Sequence, residues 1–190
     1  RDILKTIQLL PGISSSSEGS TGFTVRGGTP GQNLIILDDA TVYSSSHLAG
    51  FFSVFNSDAI KDVAVYKGGI PANYGGRSSS MIDITMNNGN NKSFSATGGI
   101  GLIASRLTLE APLIEDKMSF IMSGRRTYGD LIAKLLFPEQ IVRNDLEFYF
   151  YDLNAKLNYT VNEKNRLFIS GYSGRDNFGL GDDAGTAWGN

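Results

Sequence analysis

From residue 94 onward, apolar and polar positions alternate with a period of two. In 94–104, Phe94, Ala96, Gly98, Ile100, Leu102 and Ala104 share one face, opposite Ser95, Thr97, Gly99, Gly101 and Ile103. In 118–128, Met118, Phe120, Met122 and Tyr128 oppose Ser119, Ser123, Arg125 and Thr127. In 151–160, Tyr151, Leu153, Ala155, Leu157 and Tyr159 alternate strictly with Asp152, Asn154, Lys156, Asn158 and Thr160. A fourth run, "RLFISGYSGRDNF", alternates more weakly. This pattern predicts strands with one dry and one wet face. Each run is about ten residues or longer, where globular strands average about 5–6 and bilayer-crossing strands need about 9–11. The expected connections run short, long, short: "APLIEDK" at 111–117, then 129–148, then "VNEKN" at 161–165. Membrane barrels show that asymmetry. Tyr149, Tyr151 and Tyr159 fall near the two ends of one strand, as an aromatic girdle requires. Past Ser105 the apolar parity passes to Leu107 and Leu109, which predicts a bulge or an exit from the apolar layer. A soluble sandwich with one wet face would give the same periodicity.

Residues 1–90 have a different texture, that of a small α+β unit. Asp2 can cap a short helix carrying Ile3, Leu4, Ile7 and Leu10, which Pro11-Gly12 ends. "FTVRG" and "LIILDDATVY" read as strands, with "GGTPGQN" as a hairpin-type connection. Asn56 or Ser57 can cap one helical turn. "KDVAVYKGG" is then a strand, "PANYGGRSSS" a loop and "MIDITM" a strand. "NNGNNKS" at 87–93 is the clearest boundary. Two domains follow: 1–90, and 91–190 with about four long strands, of a membrane barrel or of a soluble sandwich.

Composition narrows the function classes. The 190 residues hold 17 basic and 19 acidic side chains, for a net charge of −2. That balance gives no bulk attraction to nucleic acid. There is no cysteine, so disulfides, thiolate nucleophiles and Cys-ligated metals are excluded. No apolar run is long enough for a membrane helix. The opening "RDILKTIQLLPG" reads as the middle of a domain, so the native precursor is expected to begin earlier.

No catalytic constellation emerges. His47 is the single histidine and has no partner motif for a metal. "GLGDDAG" at 179–185 lacks the alternating ligand spacing of a calcium loop and reads as a solvated loop. No phosphate-binding loop or nucleophile elbow is present. The chain is read as a non-enzyme without cofactor. "RGG" at 26–28 occurs once, between strands, whereas nucleic-acid segments of that type repeat. Gly27, Gly28 and Gly31 are expected to supply turn dihedrals, with Arg26 pairing to a nearby carboxylate.

The run from Leu10 to Met86 resembles the plug domain of TonB-dependent outer-membrane receptors, in the form common in Bacteroidetes. The resemblance rests on "LLPGISSSS", "GFTVRGGTPGQNLIILDDATVY" and "SHLAGFFSVFNSDAIKDVAVYKGGIPANYGGRSSSMIDITM", and on "MSFIMSGRRTYGDLI" in the strand region. It implies an α+β plug followed by antiparallel strands of a barrel that closes at about 22. It also implies uptake of a scarce small ligand across the outer membrane of a Gram-negative bacterium, driven by the TonB complex through an upstream segment. The signature turns it marks are Arg26, Gly27, Gly28 and Gly31, and Tyr74, Gly75, Gly76 and Arg77.

SusC-type glycan importers, which work with a surface lipoprotein partner, are similar in outline. They differ at the segment where this chain has Lys67 to Arg77, which weakens a glycan assignment. A soluble ligand-binding or signalling module built on a plug-like fold is the other alternative. Arg26, Arg77, Arg125 and Arg126 are candidates for charged contacts between plug and wall, with Arg125 or Arg126 facing the lumen. Four strands cannot close, so the strands from 94 onward are expected to need the rest of the barrel.

Overall fold

The computed structural model describes residues 2–136, 147–179 and 185–189. The chain divides into two compact units, Arg1–Asn87 and Asn88–Asn190.

The first unit opens with helix α1 (Ile3–Ile7). Asp2 caps it through one carboxylate oxygen, which accepts from Lys5 N at 3.2 Å, while the other accepts from Ser53 N at 2.9 Å. Strands β1 (Ile13–Ser15) and β2 (Phe23–Val25) pair antiparallel. Next come β3 (Asn33–Leu37), β4 (Ala40–Thr41), β5 (Ser46–His47), β6 (Phe52–Ser53), β7 (Ile60–Tyr66) and β8 (Ser80–Met86). The main sheet has the order β4-β3-β8-β7, with β3 and β8 parallel and the other pairs antiparallel. Its core holds Leu34, Ile36, Met81, Ile82 and Ile84, all buried. Asn56 caps a single 3-10 turn at Ser57–Ala59, where either Asn56 or Ser57 was expected.

One expectation fails here. β2 and β3 are not a hairpin, because β2 pairs with β1 and β3 pairs with β8. A run with five consecutive buried residues, as in β3, sits inside a sheet with neighbours on both edges.

The second unit is one antiparallel sheet in the order β14-β13-β12-β11-β10-β9. Its strands are β9 (Ser95–Ile100), β10 (Ala104–Ile114), β11 (Met118–Thr127), β12 (Glu147–Thr160), β13 (Arg166–Gly179) and β14 (Gly185–Gly189). Helix α2 (Gly129–Leu136) follows β11. Among the described residues the sheet has six strands rather than four. The run read as one strand over 94–104 turns at 101–103, closed by Gly101 N donating to Ala104 O at 2.9 Å. The segment 111–114, read as a turn, continues β10. The connections at one end are therefore short (115–117 and 161–165), while the opposite end holds the long stretch after β11. The acidic part of "GLGDDAG", residues 180–184, lies outside the described residues.

Alternation gives the sheet two distinct faces. Ser119, Ser123, Thr127, Asp152, Asn154, Lys156 and Asn158 are buried on the polar face. Leu107, Met122, Leu153, Tyr159, Leu167 and Ile169 are exposed on the apolar face. Tyr151 and Tyr159, eight residues apart on β12, span about 26 Å along the strand, which is about 20 Å of height at the usual tilt of a barrel strand. The segment before β9 is pinned to this sheet. Ser119 Oγ donates to Asn88 O at 2.7 Å, and Lys92 pairs with Asp116 at 2.5 Å.

Candidate functional site

The two signature loops of the first unit meet. β2 ends at Val25, and the chain reverses through Arg26 (φ 49°) and Gly27 (φ 79°), both left-handed. Gly28 N donates back to Val25 O at 2.9 Å, and Arg26 N donates to Gly12 O at 3.1 Å. Pro30–Gln32 forms a 3-10 turn, with Gln32 Oε1 accepting from Thr29 N at 3.0 Å. Asn33 then ties three elements. Its amide donates to Phe23 O at 2.9 Å and to Pro30 O at 3.2 Å, and its oxygen accepts from Ser80 Oγ at 2.7 Å.

The second loop docks on the first through Ser79. Its N donates to Gln32 O at 3.0 Å and its Oγ to Val25 O at 2.8 Å. Gly28 lies against Ser79 so closely that a Cβ would sit 2.4 Å from Ser79 Oγ. Tyr74 packs on the Leu34, Ile36 and Met81 cluster and anchors the loop, and Gly76 takes φ 85°. Between the loops is an open cleft of about 300 Å³ lined by Gly31, Gln32, Gly76, Arg77 and Ser78.

The signature residues therefore have different tasks. Gly27 supplies a left-handed dihedral and Gly28 a close approach. Gly31 supplies neither: its φ is ordinary and nothing crowds it. The expectation that all three glycines serve turn dihedrals is corrected to Gly27 alone. Arg77 is exposed and lines the cleft. Arg26 lies outside it, its guanidinium against Gly68, where a Cβ would come within 3.0 Å of Nη1. Among the described residues no carboxylate pairs with Arg26, contrary to expectation. Asn33 and Ser79, which hold the two loops together, were not singled out from the sequence. A polar residue buried at the start of an apolar strand is the signal that would have found them.

The cleft offers backbone groups, the Gln32 amide, the Ser78 hydroxyl and the Arg77 guanidinium. Among its lining residues no nucleophile stands with a base and no two carboxylates meet. His47 is buried in β5, and among the described residues no cluster could hold a metal ion.

In the second unit, Arg125 and Arg126 point to opposite faces. Arg125 is on the polar face and contacts Asp152 Oδ2 through Nε at 2.8 Å and Nη2 at 2.5 Å. Arg126 is on the apolar face, its guanidinium 5.2 Å from the Tyr149 ring centroid.

A small mixed domain leading into long antiparallel strands, polar on one face and apolar on the other, defines the class of plugged membrane barrels. Residues 1–81 match the family model described as TonB-dependent Receptor Plug Domain, and the N-terminal unit is a plug domain of that family. Among solved structures the chain is similar to the siderophore receptor PirA from Acinetobacter baumannii, with 16% identity and a TM-score of 0.63 over 93% of this chain and 29% of that one. It is also similar to PirA from Pseudomonas aeruginosa, with 17% identity and a TM-score of 0.61 over 94% of this chain and 31% of that one. A third is the ferric enterobactin receptor PfeA, with 19% identity and a TM-score of 0.60 over 93% and 31%. The chain thus spans about three-tenths of the length of these structures, and the likeness is one of fold. Comparison with the curated proteins gives no match.

Proposed function

We propose that this chain is the plug and first wall strands of a TonB-dependent outer-membrane receptor of a Gram-negative bacterium. In this reading the receptor binds a scarce extracellular ligand at the plug and admits it when the TonB complex pulls on a segment upstream of α1. The supporting observation is the succession of units. A plug-family domain leads directly into a sheet with a polar and an apolar face, and among the described residues the outer edges of β9 and β14 carry no further strand. An open edge in lipid leaves backbone groups unpaired at several kcal/mol each, so a working wall needs the remaining strands. Of the two arginines expected to touch the plug, Arg125, on the polar face, stays the candidate; Arg126 stands on the apolar face and is withdrawn from that role. Ligand binding is assigned to the cleft at Arg77 and Gln32.

The solved neighbours are siderophore receptors, so an iron-loaded siderophore is the first probe. Cells expressing the receptor that carries this chain should accumulate the labelled complex. Accumulation should stop when the proton gradient is collapsed. Uptake indifferent to the gradient would overturn the TonB-driven mechanism. Binding of none of a panel of siderophores would move the ligand to another class.

A further inference from the structure

Two arginines stand on the apolar face of the wall sheet, where charge is costly. The register places Ser105, Arg126, Tyr151 and Arg175 in one row across β10, β11, β12 and β13. The next rows toward the short turns carry Leu107, Gly124 and Leu153, then Leu109, Met122 and Ala155. Arg126 and Arg175 are exposed and flank Tyr151. They are two strands apart, about 9–10 Å between backbones. Arg126 is held toward the long-connection end by the Tyr149 ring, and that ring is fixed by Asn177 Nδ2 donating to its hydroxyl at 2.7 Å. Among the described residues no carboxylate pairs with either arginine.

Directly below Arg126 lies an apolar furrow of about 980 Å³, bordered by Gly98, Ile100, Leu107, Gly124, Tyr151 and Leu153. Its depth comes from missing side chains. A Cβ on Gly124 would meet only Asp152 O and Leu153 Cδ1, at an ordinary 3.8 Å, and Gly124 has no left-handed φ. The backbone does not require glycine there, and glycine leaves the furrow open.

A hydrocarbon channel with two guanidinium groups at one end is complementary to an amphiphilic anion. A lipid tail alone needs no cation, and free phosphate needs no furrow. Guanidinium forks match phosphate oxygens two at a time. We propose that the Arg126–Tyr151–Arg175 row and the furrow beneath it bind a net-anionic acyl lipid with a terminal phosphate, in the leaflet at the long-connection end. The lipid's phosphate lies between the arginines and one acyl chain lies over Gly124. This rests on the membrane reading of the second unit.

The test uses the receptor carrying this chain, purified in neutral detergent. Native mass spectrometry counts bound dioctanoyl phosphatidic acid and dioctanoyl phosphatidylcholine. The wild type should hold phosphatidic acid about tenfold more tightly. R126Q/R175Q should remove the preference, R126K/R175K should keep part of it, and G124L should weaken both lipids. Equal binding of the two lipids by the wild type, or an unchanged preference in R126Q/R175Q, would overturn the proposal. Full competition by inorganic phosphate would also overturn it, since the furrow would then contribute nothing. Protease protection in vesicles separates the two readings. A protein that inserts but shows no preference refutes the lipid site alone, and one that never inserts refutes the membrane reading as well.

Discussion

Arg125 and Asp152 face each other across the β11–β12 ladder, and two guanidinium nitrogens contact a single carboxylate oxygen. The Asp152 side chain is fully shielded and Arg125 nearly so. The guanidinium also stands 4.9 Å from the Phe150 ring centroid. A shielded pair costs much more to break than to replace, because removing one partner strands the other charge.

Asp152→Ala or Arg125→Ala should therefore each cost about 3–5 kcal/mol of wall stability, while the double replacement R125M/D152L should cost far less. Thermal unfolding of the folded receptor, arranged as a double-mutant cycle, measures this. Additive losses would show that the pair is not coupled.

Gly28 and Gly27 should respond differently to alanine. Gly28→Ala drives a Cβ into Ser79 and breaks the bond from Ser79 Oγ to Val25 O, a loss of about 1–3 kcal/mol. Shortening the neighbour in G28A/S79G should recover part of it. Gly27→Ala is strained by its own dihedral, so S79G should not rescue it. Gly31→Ala should be close to neutral. Denaturant midpoints of G28A, G28A/S79G, G27A, G27A/S79G and G31A decide the matter.

The Asp83 carboxyl is held above its usual 3.8, first by burial and then by Asp39, Asp38 and Asp62. A raised acid favours the native state at low pH. That contribution is complete below 3.8 and is lost as pH rises through the higher folded value. Asp83→Asn should thus stabilise the plug at neutral pH and give no gain well below 3.8. Melting temperatures at the two pH values check the sign. Part of the neutral-pH gain should fade in high salt, since the three neighbouring carboxylates act through a screened field.

Gly89 carries φ 80°, and a Cβ there would lie 2.3 Å from Phe120 O, a backbone atom that cannot swing aside. Gly89→Ala should unseat the segment that enters the wall and cost on the order of 2–3 kcal/mol. Hydrogen exchange at β11 should rise locally, with the plug sheet unaffected. Unchanged protection at Phe120 and Ile121 would contradict the close approach.

Period two made the wall readable in the sequence, since one dry and one wet face force it. The turn at 101–103 escaped notice because Leu102 and Ile103 are apolar although 84% and 53% exposed. No polar punctuation marks it. Pro112 made β10 look like a turn, yet it sits where the ladder shifts register, the place in a sheet that tolerates a missing N–H. In the plug, local signals placed the strands but not their partners, because β3 pairs with a strand more than forty residues downstream. The cleft had the same difficulty. Its glycines stood out through family resemblance, while Ser79 and Asn33, which join the loops, depend on that distant pairing.

The parallel pairing of β3 with β8 has a consequence for how the chain is made. Closing it requires a loop of more than forty residues to lose its freedom before any ladder bond is gained, so the plug sheet is complete only when Met86 is in place. The wall sheet pairs each strand antiparallel with the next in sequence, so its pairings are sequential even where the long stretch with α2 separates β11 from β12. One polypeptide thus couples an all-at-once pairing in the plug to a strand-by-strand one in the wall.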